Sequence, residues 1–194
     1  MGKRLKGKRV VVTQAESFMG PETVSLFEEE GALVFPDNRD LTERGACEAL
    51  IKEVGDVDVL IGNFASPSFS GVQVTDLSDV QLELPFEIMV YPLHRLTRAV
   101  LPQMIKRKRG KIVVYGSASA KRGMKTLSAY SAARAAQLGY VQSVGVEVAA
   151  QNIQVNLIAQ NYVESEDYYP EELLKKESFV QSLKRQVPAG RLGT

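Results

Sequence analysis

The sequence predicts an α/β fold: a doubly wound parallel sheet in three layers, forming a single domain over residues 1–194. Three observations carry that reading. Short, wholly apolar runs such as Val10-Val11-Val12 lack the alternation of a half-wet strand, as strands buried on both faces do. Helix-period segments separate these runs one by one, which builds strand–helix–strand units. The length of 194 residues, with 44% apolar and 24% charged residues, suits one domain with a sizeable core.

The elements follow in order. Lys8 to Thr13 reads as the first strand, and Gly20-Pro21 opens a helix that Gly31 stops. Ala32 to Phe35 is a second strand. Cys47, Leu50, Ile51 and Val54 share one helical face, and Gly55 ends that helix. Val57 to Gly62 is a third strand. A long helical stretch runs from about Pro85 to Lys108, bent at Pro92. Lys111 to Gly116 is the fourth strand, Leu127 to Ala150 an Ala-rich helix, and Ile153 to Ala159 the fifth strand. Glu171 to Gln186 is a last helix. One helix alone links the second and third strands, so the sheet edge is trimmed. No strand follows Gly190 to Thr194, where such a sheet normally continues, so the chain is expected to be C-terminally truncated. Lys106 to Arg109 reads as a solvated helix end, and His94 as a structural residue.

Scarce residues exclude several functions. One cysteine, Cys47, and one histidine, His94, leave no intramolecular disulfide and no zinc site, so no metal is expected and a cytoplasmic location is. A net charge of +1 argues against a nucleic-acid partner. No apolar run is long enough to span a membrane.

The loop after the first strand reads Thr13-Gln14-Ala15-Glu16-Ser17-Phe18-Met19-Gly20. A dinucleotide loop uses one glycine for the tight turn, one for the approach of the pyrophosphate and one for helix packing. Only the third, Gly20, is present; Gln14 and Phe18 stand at the other two positions. The fold therefore reads as nucleotide-binding in type without a nucleotide site, and no cofactor is expected.

Ser117 lies just past the fourth strand, and Tyr130 and Arg134 lie four residues apart on one face of the Ala-rich helix. An always-charged guanidinium beside a phenol favours the phenolate and lowers its pKa, so the pair reads as a base assembly; by spacing alone it reads first as a solvated i,i+4 contact. Ser117, followed by Tyr130-Ser131-Ala132-Ala133-Arg134 on this strand–helix order, resembles the short-chain dehydrogenase/reductase superfamily, whose fold is Rossmann-like. That superfamily carries Tyr-x-x-x-Lys, where this chain has Arg134. Its Asn-Asn-Ala-Gly-like turn reads Gly62-Asn63-Phe64-Ala65 here, and its structural Asn position reads Met89. These departures, with Ile112 to Ala118 and Ile158-Ala159-Gln160, look most like the B-type halohydrin dehalogenases, a cofactor-free branch.

That resemblance implies a carbon–halide lyase converting vicinal haloalcohols to epoxides with release of halide. The reverse reaction would open epoxides with azide, cyanide or nitrite. Tyr130 would be the base, Arg134 would lower its pKa, and Ser117 would hold the substrate oxygen. A halide nest would form from Phe18, Gln160, Asn161 and Tyr162, closed by Tyr169 before Pro170. Family members pair through their two long helices, which implies a homotetramer; Ala129, Ala132, Ala133 and Ala136 would allow the close approach. The alternatives are an NAD(P)-dependent short-chain oxidoreductase of the parent superfamily and a catalytically silent member.

Overall fold

The computed structural model describes residues 3–166 and 168–193. Five strands form one parallel sheet in the order β2-β1-β3-β4-β5: β1 Arg9–Thr13, β2 Leu33–Asp37, β3 Val59–Gly62, β4 Gly110–Tyr115 and β5 Ile153–Ile158. The order reverses between β1 and β3. Both neighbours pair with β1 in parallel, Val11 lying opposite Phe35 on one side and Leu60 on the other. This is the expected three-layer, Rossmann-like arrangement. Ligands collect at such a reversal, outside the carboxyl ends of the strands, because the connections there leave in opposite directions.

The continuous apolar runs divide between two faces. Val11, Leu60, Ile112 and Val114 pack with α2 (Ala46–Val54), α4 (Tyr91–Arg107) and α5 (Ser128–Val148). Val10, Val12, Val59 and Ile61 pack with Val24 and Phe27 of α1 (Gly20–Glu29). A strand alternates its side chains, so burying both sets requires cover on both faces.

The long helix before β4 differs from expectation. It begins earlier, at α3 (Asp79–Pro85), where Ser78 and Gln81 form a reciprocal capping box. Its irregularity is a π-turn over Phe86–Val90 rather than a bend at Pro92. Pro92 follows just after the π-turn, inside the continuous helical run, where it has no N–H to donate. Arg107 and Arg109 do more than meet solvent: they pair with Asp56 at 3.3 Å and Asp58 at 3.0 Å, just before β3. His94 is exposed and meets Tyr140 edge-on, its Nδ1 being 3.3 Å from the phenol oxygen.

The chain divides into two compact units, Met1–Ala159 and Gln160–Thr194. The sheet and α1 to α5 lie in the first. In the second, the expected single helix is two, α6 (Glu171–Leu174) and α7 (Glu177–Gln186). Lys176 between them takes extended backbone, with φ −75° and ψ 119°, and so starts α7 afresh. A parallel bridge joins Val163 to Gly193. No helix among the described residues is long and apolar enough to cross a membrane.

Candidate active site

Two strand ends build the loop side of the site. Thr13 ends β1 and is buried; its Oγ1 donates to the Asn63 carbonyl at 3.0 Å. The Asn63 amide then donates to the carbonyls of Gln14 and Ser17, each at 2.9 Å. Asn63 thus pins the loop after β1 to the loop after β3. Gln14 adds a second tie, its Oε1 accepting from the Ala65 N–H at 2.8 Å. Gln14 and Phe18 hold φ of 44° and 53°. Both residues that replace glycine therefore keep the left-handed backbone that glycine adopts at no cost. The glycines are lost as residues, while the course of the chain is retained. Gly20 cannot be replaced so easily: a Cβ there would lie 2.5 Å from the carbonyl oxygens of Gln14 and Ala15.

The expected Ser117, Tyr130 and Arg134 are carried by β4, the loop after it and α5. Ser117 follows β4, half-buried, and its Oγ accepts from the Ser119 N–H at 3.2 Å and from the Ser119 hydroxyl at 3.0 Å. Tyr130 and Arg134 lie on the buried face of α5, only 9% and 4% exposed. The Arg134 guanidinium carbon stands 5.0 Å from the centre of the Tyr130 ring, close enough for a cation–π contact. Its Nη1 donates to the Tyr115 carbonyl at 2.8 Å, two residues before Ser117, and to Gln137 Oε1 at 3.0 Å. The Tyr115 bond fastens α5 to the end of β4. Ser117, Tyr130 and Arg134 therefore belong to one locality, held from two elements.

The nest residues fall in different parts of the molecule. Phe18 is half-buried in the first unit. Gln160, Asn161, Tyr162 and Tyr169 belong to the second. There Tyr162 and Tyr169 stack at 5.8 Å and Tyr169 meets Phe179 at 5.8 Å, while the Tyr162 hydroxyl donates to Gln186 at 2.8 Å. Asn161 is exposed and Gln160 half-buried. On α5, Ala129 and Ala133 are consumed by the core, leaving Ala132 exposed.

A cavity of about 470 Å³ opens beyond the ends of β1, β2 and β3, lined by Gln14, Asn38, Arg39, Phe64 and Ala65 among others. Asp37, at the end of β2, is buried; Arg39 Nε donates to its Oδ1, and no hydrogen bond reaches its Oδ2. Burial pushes this carboxyl up from the ordinary aspartate range, against the pull of Arg39.

The match to the short chain dehydrogenase family model spans residues 4–170. The chain belongs to that family. Among family relatives, the 3-oxoacyl-(acyl-carrier-protein) reductase FabG of Vibrio cholerae is 29% identical, over 97% of this chain and 85% of its own. The protein of the same name from Haemophilus influenzae is 30% identical, over 97% and 76%. A solved structure titled "Dehalogenation enzyme" is 30% identical, with a TM-score of 0.85, over 97% of this chain and 86% of that one. Within this short-chain dehydrogenase, the expected carbon–halide lyase is corrected. Curated relatives over nearly the whole chain are named reductases, which points to an oxidoreductase and leaves haloalcohols and halide unsupported as partners.

Sequence reasoning missed Asp37 and Gln137 and gave Asn63, which it placed in the turn after the third strand, no role of its own. Gln137 was detectable. It stands three residues after Arg134 and seven after Tyr130, so it shares their helical face, where a polar residue needs a partner.

Proposed function

We propose that this short-chain dehydrogenase is an NAD(P)-dependent oxidoreductase that interconverts a carbonyl and a hydroxyl group on a small substrate of the 3-oxoacyl type. The single observation that carries the reading is the similarity to reductases along nearly the whole chain. The residues fit a dinucleotide on three counts. Gln14 and Phe18 keep the backbone course of a phosphate loop, and Gly20 keeps its helix packing. The buried Asp37 Oδ2 at the end of β2 is an orphan acceptor that a ribose hydroxyl would satisfy. The cavity beside it has the size of a ligand site.

Asp37, Asn38 and Arg39 would hold the adenosine end, and the Gln14–Gly20 loop the phosphates. The bound nicotinamide would supply or accept the hydride. This chain's own residues handle the oxygen. Ser117 donates a hydrogen bond to the substrate oxygen and orients it. Tyr130 Oη passes its proton to that oxygen in reduction and takes it back in oxidation. The Arg134 cation stabilises the negative charge that the proton transfer leaves behind.

The likeness to the halohydrin dehalogenase branch is read as kinship, supported by Gln14, Phe18, Arg134 and the solved structure of that description. Exposed Tyr91, Ile105 and Val146 on the two long helices support a homotetramer, which light scattering of the protein would measure. The lone cysteine supports a cytoplasmic location, checked by cell fractionation.

The test is titration of the purified chain with NADH and with NADPH, followed by reduction of a 3-oxoacyl thioester. Binding of either nucleotide with Kd below about 1 mM and turnover that Tyr130→Phe abolishes are expected. Absence of binding, or halide release from a haloalcohol without added nucleotide, would overturn the reading.

A further inference from the structure

Among the described residues, Arg134 is buried without a carboxylate partner. Its hydrogen bonds there go to neutral oxygens, the Tyr115 carbonyl and Gln137 Oε1, and none of the ion pairs includes it. Its Nε is buried and finds no hydrogen-bond partner among the described residues. Burying a cation this way costs free energy, and an acidic partner would ordinarily offset the cost. Gln137 stands where that acid would be. It is 0% exposed, and both halves of its amide are engaged: Oε1 accepts from Arg134 at 3.0 Å, and Nε2 donates to the Met89 carbonyl at 2.9 Å.

Met89 belongs to the π-turn that joins α3 to α4. Such turns shift the register of the backbone ladder and recur at functional sites. The amide of Gln137 therefore connects this irregular turn to the guanidinium. A carboxylate at the same position would accept from Arg134 too, but it would cancel the charge and could not donate to Met89.

We propose that Gln137 is a positioning residue. It fixes the Arg134 guanidinium against the π-turn and, being neutral, leaves the full cationic charge available beside Tyr130. The proposal rests on the assignment of Arg134 to the reacting site. It explains why the buried position is an amide: one side chain must accept, donate and carry no charge.

The experiment uses the full chain, with Gln137→Met to remove the tether and Gln137→Glu to cancel the charge. Reduction of the 3-oxoacyl thioester by NADPH is followed as separate kcat and KM. Gln137→Met is expected to lower kcat about 10-fold with KM within about 2-fold, and Gln137→Glu to lower it about 100-fold, the range typical of partners that orient a reacting group. Circular dichroism confirms that each variant is folded. A folded Gln137→Met with wild-type kcat would overturn the proposal, as would a rise in KM alone. Nitrogen-15 spectra of the wild-type guanidinium supply a readout that needs neither turnover nor a folded variant. Two separate Nη signals for Arg134 are expected from a fixed group; one averaged signal would overturn the proposal. Distinct Nη signals in a protein without reductase activity would sink the oxidoreductase reading and leave the positioning role standing.

Discussion

At the scale of single residues, burial decides which groups are chemically available. Cys47 lies inside α2 against the carbonyls of Leu41 and Pro92, and burial pushes its thiol up to about 11. The thiol is therefore neutral at pH 8, and the thiolate is the reactive form. The native chain should react slowly with a thiol reagent, and the unfolded chain should take up one equivalent at once. Prompt labelling of the native protein would show that the site is open. Because the folded thiol holds its proton more tightly than the unfolded one, this residue's share of stability is lost as pH rises from about 9 towards 11. Tyr130 is a phenol on a buried helix face, with the Arg134 cation over its ring. Tyr130→Phe should lower turnover about 10²-fold or more while circular dichroism and the unfolding midpoint hold. Retained turnover would remove the tyrosine from its assigned role.

At the scale of elements, local rules placed the helices and strands well, and their limits show where contacts intervened. The α3 start at Ser78 is a capping box written in the sequence: the Gln81 N–H donates to Ser78 Oγ at 3.3 Å, and the Ser78 N–H donates to the Gln81 side chain at 3.0 Å. Ser78→Ala should cost about 1 kcal/mol, measured as a lower urea midpoint with an unchanged slope. An unchanged midpoint would mean the cap carries no stability. Gly20 opens α1 at a point of backbone contact. Gly20→Ala would drive a Cβ against two carbonyl oxygens at 2.5 Å, so a loss of about 1–3 kcal/mol is expected. A variant as stable as wild type would require the loop to relax freely, against its ties to Asn63.

At the scale of the whole molecule, pH dependence sums carboxylates of opposite sign. Arg4 holds Glu30, and Arg98 holds Glu48, below the usual carboxylate range, so both add stability that is lost as pH falls. Both pairs are exposed and contribute little. Asp37 acts the other way. Its folded carboxyl is raised by burial, so the folded state binds the extra proton and stability declines as pH climbs through the window above the ordinary aspartate value. The difference in stability between wild type and Asp37→Asn should therefore change across that window, in favour of the variant as pH rises. Parallel curves would mean that the carboxyl keeps its ordinary affinity for protons.

The sequence by itself determined the class of fold and the succession of five strands. Each is written in local pattern: apolar runs of strand length and helical spacing between them. Tertiary structure decided the rest. No local signal says that Gln14 and Phe18 would take left-handed backbone, and the bonds that tie down this loop come from Asn63 and Ala65 at another strand end. The π-turn at Phe86–Val90 and its tie to Gln137 likewise join segments 48 residues apart. Residue identity alone hid that Gln14 and Phe18 take left-handed backbone in this loop. Pattern reports which side chains a segment carries; a hydrogen bond between distant segments depends on where the chain returns, and the packing of the whole sheet sets that.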